Sequence, residues 1–168
     1  MAWLDIKSTN IADTVYSDDS LVAKDVAFTL PAITPVAGEA QAMGTMEIPA
    51  VGLIEAMEAT ITKVGTDLGL SRMMRLEKQN IEFRWVHNVS YSDGTSKPEG
   101  CKAFIRGVPK ALPAVGVEIG ANSENEIAFA VTRYQLYVGG VEILLVDRLS
   151  QILRINGVDY YSKINSLL

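Results

Sequence analysis

Few side chains of this chain could do chemistry. His87 is the only histidine and Cys101 the only cysteine among its 168 residues. A zinc site takes four ligands, mostly cysteine and histidine at short spacings, so one residue of each type does not supply the set. Cys101 has no partner for an internal disulfide, and we interpret it as a small, half-buried apolar side chain rather than a reactive thiol.

His87 belongs to an alternating segment rather than to a catalytic set. Phe83, Trp85 and Val89 share its phase within residues 80–91. The pattern therefore predicts a hydrogen-bonded histidine in the core or in an interface. A Ser-His-Asp set is recognised by the geometry of its three groups, and nothing in the sequence indicates one around this residue.

Two further patterns are similar to functional motifs without meeting their requirements. Glu55 and Glu58 could be an acid–base pair, but three residues apart on a strand they point to opposite faces. Residues 65–69 read Gly-Thr-Asp-Leu-Gly, which lacks the Lys-Ser/Thr pair of a phosphate-binding loop. The sequence therefore predicts a protein that is not an enzyme and that holds no cofactor and no metal.

Length and composition narrow the class of protein. Hydrophobic residues make up 48% of the chain, which excludes a disordered protein, and 168 residues predict one domain spanning 1–168. The net charge of −5 argues against a nucleic-acid-binding protein, which normally has a basic face. The sequence has no signal-peptide pattern and no apolar run long enough to span a membrane, so we expect synthesis in the cytoplasm.

The segment most clearly patterned for structure is residues 125–147. Two runs rich in β-branched and aromatic residues flank Gly139-Gly140, which predicts a long antiparallel hairpin with a tight turn. The large apolar residues lie at odd positions up to Val131 and at even positions from Tyr134 onward. Such a change of face predicts a bulge near Thr132 and Arg133, or a strand that packs against two different partners.

The remaining elements that would position side chains are mostly strands. Alternation predicts strands over residues 24–30, 55–63, 80–91, 102–108 and 115–119. Thr66 or Asp67 is placed to cap a short helix that runs to about residue 77, and a short helix is expected at the C-terminus. The fold class predicted is mainly β, a β-sandwich or open barrel with one short flanking helix and a short C-terminal helix.

Residues 31–52 predict a long loop of unusual composition. The segment contains three prolines and three glycines, and Glu39 is its only charge between Thr34 and Met46. Long loops in compact domains are commonly functional, and this one is too apolar to be a typical disordered segment. It either becomes ordered against a partner or folds over its own core.

Four separate stretches together resemble a known family. Residues 29–33 (Thr-Leu-Pro-Ala-Ile) open the long loop, and residues 52–59 (Gly-Leu-Ile-Glu-Ala-Met-Glu-Ala) end it. Residues 134–140 (Tyr-Gln-Leu-Tyr-Val-Gly-Gly) follow, and residues 154–159 (Arg-Ile-Asn-Gly-Val-Asp) precede a short apolar tail. In this order and spacing they resemble the FII-type major tail tube protein of contractile-tailed phages and the related tubes of R-type bacteriocins.

The resemblance implies a tail-tube fold and a structural role without catalysis. Six subunits would join their sheets edge to edge into a ring, and rings would stack into a hollow tube. The implied partners are other copies of the chain, the tail sheath protein, the baseplate, the tail terminator and, in a phage, the tape-measure protein and DNA in the lumen. The implied location is a virion tail or an extracellular contractile particle, of phage, bacteriocin-like or other type, assembled in the bacterial cytoplasm without a membrane anchor.

The resemblance also implies where contacts lie. The loop at about 31–52 would be an arm between subunits, and the hairpin and the C-terminal segment would add further contacts. The residues expected between subunits or rings are Pro35, Val36, Met43, Met46, Ile48, Tyr134, Leu136, Val138, Ile155 and Val158. The short helix is expected to face the sheath through Asp67, Arg72 and Arg75.

A second function is compatible with the same residues. A monomeric β-sandwich module could use residues 31–52 as a loop that closes over a ligand. The two functions differ in oligomeric state, because a tube subunit forms rings or tubes whereas a binding module stays monomeric over a wide concentration range.

Overall fold

A computed structural model describes residues 5–168, which form twelve strands and two short helices. The first four residues of the predicted domain lie outside the described residues. The strands are β1 (Ile6–Ser17), β2 (Ser20–Lys24), β3 (Ala27–Thr29), β4 (Pro35–Gln41), β5 (Thr45–Ile54), β6 (Met57–Val64), β7 (Gln79–Ser90), β8 (Ser96–Ala111), β9 (Glu124–Val138), β10 (Val141–Asp147), β11 (Ile152–Ile155) and β12 (Val158–Asp159). The helices are α1 (Leu68–Met73) and α2 (Ser162–Asn165). The fold is mainly β with two short helices, as predicted.

Ten of these strands form one antiparallel sheet. Its order is β12-β11-β10-β9-β8-β7-β1-β2, and β6 and β3 branch from it because β6 also pairs with β9. The tight turn of the β9–β10 hairpin is Gly139-Gly140, at φ of 58° and 81°. Both values lie in the left-handed region that glycine tolerates, so the predicted hairpin is confirmed.

β9 changes its partner halfway along its length. Residues 124–131 pair with β6, and residues 133–138 pair with β10. Thr132 lies between the two halves, and the register with β8 shifts there by one residue. An extra residue in one strand is a β-bulge, and it moves the core-facing side chains from odd to even positions. The predicted change of phase is therefore confirmed, and the predicted bulge is its cause.

The branch β6–β3 folds back over the sheet to enclose one hydrophobic core. The ring of Phe28 on β3 lies 4.7 Å from that of Phe83 and 5.7 Å from that of Trp85, both on β7. The β6–β3 branch and the main sheet share this core, so the sheet forms an open barrel. The fully buried large side chains include Phe83, Phe129, Ile61, Ile81, Ile127, Leu70 and Met73.

α1 is held on the barrel by polar contacts at its N-terminus. Asp67 caps the helix, because its carboxylate accepts a hydrogen bond of 2.9 Å from the Leu70 N–H. The Lys63 ammonium, which is almost buried, donates to the same carboxylate at 2.9 Å and to the Val22 carbonyl at 2.7 Å. This ion ties β6, β2 and the helix cap together.

α1 is shorter than predicted, ending at Met73 rather than near residue 77. The buried Gln79 side chain explains the end, because its amide donates to the Met73 carbonyl at 3.0 Å and to the Arg75 carbonyl at 2.8 Å. These bonds satisfy carbonyls that would otherwise need further helical turns. The chain then turns directly into β7.

Three segments differ from the sequence prediction. Residues 31–52 are not an irregular loop, because β4 and β5 pair there as a separate two-stranded sheet. Residues 6–17 form β1, although the sequence predicted no strand before residue 24. The first half of β1 is exposed on both faces, and its register with β7 shifts twice, so it has no clear alternation. Residues 115–119, predicted as a strand, form none, because no neighbouring strand within the described chain pairs with them.

Candidate assembly surfaces

The β4–β5 hairpin, called the arm below, is the most exposed element of the fold. It is joined to the barrel only at its base, where the Glu55 N–H donates to the Thr34 carbonyl at 2.9 Å. Met43 at the tip is fully exposed, and Met46 and Ile48 on β5 are exposed as well. The arm therefore presents apolar side chains to solvent along a two-stranded ribbon, an arrangement that is only marginally stable by itself in water.

The arm base is packed against the C-terminal helix. Gly52 on β5, at φ of 102°, lies against α2 so closely that a Cβ there would be 2.7 Å from Ile164 Cδ1 and 3.2 Å from the Tyr161 ring. The Arg148 guanidinium adds a bond of 3.4 Å to the Glu55 carbonyl. The direction in which the arm leaves the barrel is thus set by α2 and by the β10–β11 turn.

The ten predicted contact residues fall into three groups by exposure. Pro35, Val36, Met43, Met46 and Ile48 lie on the arm and are exposed, as is Val158 on β12. Leu136, Val138 and Ile155 are half-buried. Tyr134 is packed in the core, where burial raises the pKa of its hydroxyl to about 12. Tyr134 is therefore left out of the contacts proposed below.

The residues expected to face the sheath lie along α1: Asp67 caps its N-terminus, Arg72 is in its last turn and Arg75 follows its end. Arg72 is exposed, and Arg75 donates to the Asp18 carboxylate at 2.6 Å. Asp67 is occupied by the helix cap and by Lys63. The Lys63 hydrogen bond, followed by that of the Leu70 N–H, lowers the pKa of Asp67. Arg72 is thus the one of the three predicted residues without an ion pair among the described residues.

The face of the sheet that points away from the core carries both aromatic and charged side chains, and some of the charges are paired. Arg84 pairs with Glu82 at 2.5 Å, and Arg154 pairs with Glu142 at 3.2 Å. Lys102 and Arg106 on β8 share this face and form no salt bridge within residues 5–168. A sheet face with interspersed charges of both signs attracts phosphates less than a uniformly basic one.

His87 and Cys101 do come together, which the sequence did not predict. Cys101 Sγ lies 3.4 Å from His87 Nδ1, and His87 Nε2 lies 3.1 Å from Glu99 Oε2. The Lys7 ammonium lies 2.7 Å from the same Glu99 carboxylate. The hydrogen bond from Lys7 is the largest cause that lowers the pKa of Glu99, and the hydrogen bond from His87 is the next. The thiol–imidazole–carboxylate order is that of a cysteine nucleophile, but burial raises the pKa of Cys101 and keeps its thiol protonated.

The other candidate chemistry is not assembled. Glu58 on β6 forms an ion pair with Lys110, and Glu55 lies before the strand, so the two do not act together. Within residues 5–168 no cluster of three or more metal-ligating side chains is placed to hold an ion. None of the helices in the described part of the chain is long and apolar enough to cross a membrane.

One exposed surface was missed by the sequence analysis. Residues 112–123 connect β8 to β9 and expose four apolar side chains, those of Leu112, Val115, Val117 and Ile119. The signal was present in the alternation of Val115, Val117 and Ile119, which predicted a strand. The structure shows that this alternating stretch has no sheet to join inside its own chain.

The fold is similar to that of solved chains from contractile injection systems. A chain in the cryo-EM structure of the PVC sheath-tube complex in its extended state matches with a TM-score of 0.51 and 14% identity, covering 75% of this chain and 88% of that one. A chain in the structure of the PVC sheath/tube terminator matches with a TM-score of 0.50 and 14% identity, covering 74% of this chain and 92% of that one. A chain in the structure of the anti-feeding prophage cap matches with a TM-score of 0.50 and 15% identity, covering 75% of this chain and 87% of that one.

Sequence comparison leads to a family. No curated protein matches the sequence significantly. The family model described as phage tail tube protein FII matches residues 11–168, which is nearly the whole chain and includes the arm, the β9–β10 hairpin and the C-terminal segment. This family consists of structural tube proteins, which confirms the prediction that the chain is not an enzyme. The chain belongs to the phage tail tube protein FII family.

Proposed function

We propose that six copies of this chain close into a ring and that rings stack into the hollow inner tube of a contractile tail or injection device. The tube would carry DNA or effector proteins through the envelope of the target cell. The observation that carries this proposal is the arm, an apolar two-stranded hairpin held away from its own barrel. Such an element gains its stability from a neighbour, because alone it leaves both its edges and its apolar side chains in water.

Ring closure would use the open edges of the main sheet. Residues 6–12 of β1 pair with β7 on one side, while β2 covers only residues 14–17 on the other. The far end of the sheet is the two-residue strand β12, where Val158 is exposed. A neighbouring subunit that adds its sheet at such edges would satisfy the free backbone groups and leave no edge open to aggregation.

The proposed partners follow from the family and from the surfaces. The similar solved chains come from assemblies that contain a sheath or a terminator, so we expect this chain to bind a sheath, through Arg72 and the outer side of α1, and a tail terminator. A phage tube would enclose the tape-measure protein and DNA against the sheet face that points away from the core. The particle would be a virion tail or an extracellular contractile device with a baseplate at its end.

The alternative, a monomeric ligand-binding module, would need residues 31–52 to close over a ligand. Its apolar residues would then face the barrel, whereas Met43, Met46 and Ile48 all face solvent. The arm geometry therefore favours the tube subunit.

The test replaces the outer arm, residues 38–48, by two glycines between the paired residues Ala37 and Pro49. We expect the wild type to form rings and tubes in negative-stain micrographs at increasing concentration. The variant should keep its circular dichroism spectrum and unfolding midpoint but should not form tubes. Tubes of normal length from the variant would contradict the role of the arm, and a wild type that stays monomeric throughout would contradict the tube.

A further inference from the structure

We propose that residues 112–123, called the receiving loop below, bind the arm of a second copy of this chain and so join one ring to the next. This inference rests on the proposed function and names the partner of its main surface. In it, the receiving loop of one copy covers the exposed apolar side chains of the arm of another copy.

The receiving loop has the side chains of a strand without a strand's neighbours. Val115, Val117 and Ile119 recur at every second position, and Val117 and Ile119 are 90% and 103% exposed. Alternate apolar residues on an extended chain form one side of a β-ladder when a partner strand is added. Exposed side chains of this kind in adjacent positions mark an interaction surface rather than the usual scatter of single apolar residues.

The backbone of the receiving loop is available for the same partner. Its internal hydrogen bonds lie toward its end, from the Ala121 N–H to the Glu118 carbonyl and from the Ser123 hydroxyl to the Gly116 carbonyl. The N–H groups of residues 114–117 have no backbone acceptor within residues 5–168. Such groups favour pairing with an added strand, and each strand of the arm has a free edge.

The base of the arm and the end of the receiving loop lie at opposite ends of β6. β6 connects the two regions, with the arm base at its start, where Glu55 bonds Thr34, and the loop at its end, where the Gly65 N–H donates to the Ser123 carbonyl at 2.8 Å. An eight-residue strand separates its ends by about 23 Å. A contact between two different surfaces of identical chains is head-to-tail, and repeating it builds a ring or an open stack rather than a closed dimer. Because ring closure is assigned to the sheet edges in the proposed function, this contact is assigned to stacking.

The charged residues of the arm and of the receiving loop are all acidic. Neither residues 35–54 nor residues 112–123 contain a lysine or an arginine, and their charged residues are Glu39, Glu47 and Glu118. The contact is therefore apolar with weak repulsion between carboxylates. Added salt should strengthen it, whereas a contact made of ion pairs would weaken.

The experiment uses cysteine pairs in the full chain. One population carries Met43→Cys, Met46→Cys or Ile48→Cys, the other carries Val117→Cys or Ile119→Cys, and the two are mixed, assembled and oxidised. We expect at least one pairing to give disulfide-linked dimers only under conditions in which tubes form. The wild type, whose buried Cys101 is its only thiol, and a mixture with the exposed control Leu76→Cys should give none.

The outcomes separate this inference from the proposed function. Tubes without any arm–loop cross-link, or with equal cross-linking to the Leu76→Cys control, would overturn the receiving loop and leave the tube subunit intact. A wild type that never associates would overturn both. Cross-linking at low protein concentration without tubes would also contradict the inference, since it would show random collision.

A substitution test checks the contact without cross-linking. Val117→Asp combined with Ile119→Asp should raise the concentration needed for tube formation by at least about tenfold, because two buried apolar contacts are replaced by charges. Single rings and the unfolding midpoint should be unchanged, since both side chains are exposed in the free subunit. Unchanged tube formation by this variant would refute the receiving loop.

Discussion

Gly107 lies opposite the point where β9 changes partner, and its missing side chain is what allows the bulge there. A Cβ at this position would be 2.6 Å from the Ala130 carbonyl oxygen, a backbone atom that cannot rotate away. The Thr132 hydroxyl, next to the bulge, donates to the Arg106 carbonyl at 3.2 Å. These contacts fix the junction of the two sheet branches at single residues.

We predict that Gly107→Ala destabilises the protein by about 2 kcal/mol or more, as expected for strain at a close backbone contact in the core. Gly100→Ala is the matched control, because Gly100 lies on the same strand and a Cβ there meets no atom within 4 Å. Urea unfolding of both variants measures the difference. Equal stabilities would show that β8 can shift at this point and that the bulge does not depend on glycine.

Asp67 is expected to make α1 sensitive to acid. Its pKa is lowered by Lys63 and by the Leu70 N–H, so its contribution to stability is present above the ordinary pKa of 3.8 and is lost as the pH falls through the lower folded-state value. At neutral pH, Asp67→Ala should cost about 1 kcal/mol through loss of the cap, and Asp67→Asn should cost less because its oxygen still caps.

The measurement for Asp67 is urea unfolding of both variants and the wild type from neutral pH to below 3.8. The wild type should lose more stability on acidification than Asp67→Asn, whose side chain does not titrate. Asp18, whose pKa is lowered first by the Asn80 N–H, remains in all three proteins and provides the common background. Identical acid profiles for the wild type and Asp67→Asn would exclude this carboxylate as a source of pH dependence.

At the scale of elements, the arm depends on α2 for its direction. Ile164 contacts Gly52 at the arm base, whereas Leu167 is exposed three residues later. We predict that Ile164→Ala speeds hydrogen exchange in residues 50–54 several-fold while exchange in β9 stays slow, and that Leu167→Ala changes neither. Unaltered exchange at residues 50–54 in Ile164→Ala would show that the arm is oriented by the β10–β11 turn alone.

The sequence predicted elements well where alternation and burial agree. β6, β7 and β9 each bury one face in the core, so their period-two pattern is strong. The arm was predicted as a loop because its strands carry prolines, glycines and small residues and, beyond the arm base, bury neither face in their own chain. The receiving loop was predicted as a strand for the converse reason, since it has the alternation but no partner strand.

At the scale of the whole molecule, the free chain should combine a stable barrel with two unsatisfied segments. We predict fast hydrogen exchange in the arm and the receiving loop of the isolated subunit and slow exchange in β6–β9. Both segments should become protected on assembly, because their N–H groups then have partners. Full protection of both segments in a monomer would contradict the view that this β-structure is completed by other copies.

The sequence by itself determined the fold class and the family, because these depend on local alternation, turn residues and residue types. The tertiary structure alone decided which segments lack a partner. Exposure of Val117 or Met43 is a property of what packs against them, and packing depends on strands far away in sequence. For the same reason only the structure showed that the arm and residues 112–123 lie at opposite ends of β6, the arrangement on which head-to-tail stacking depends.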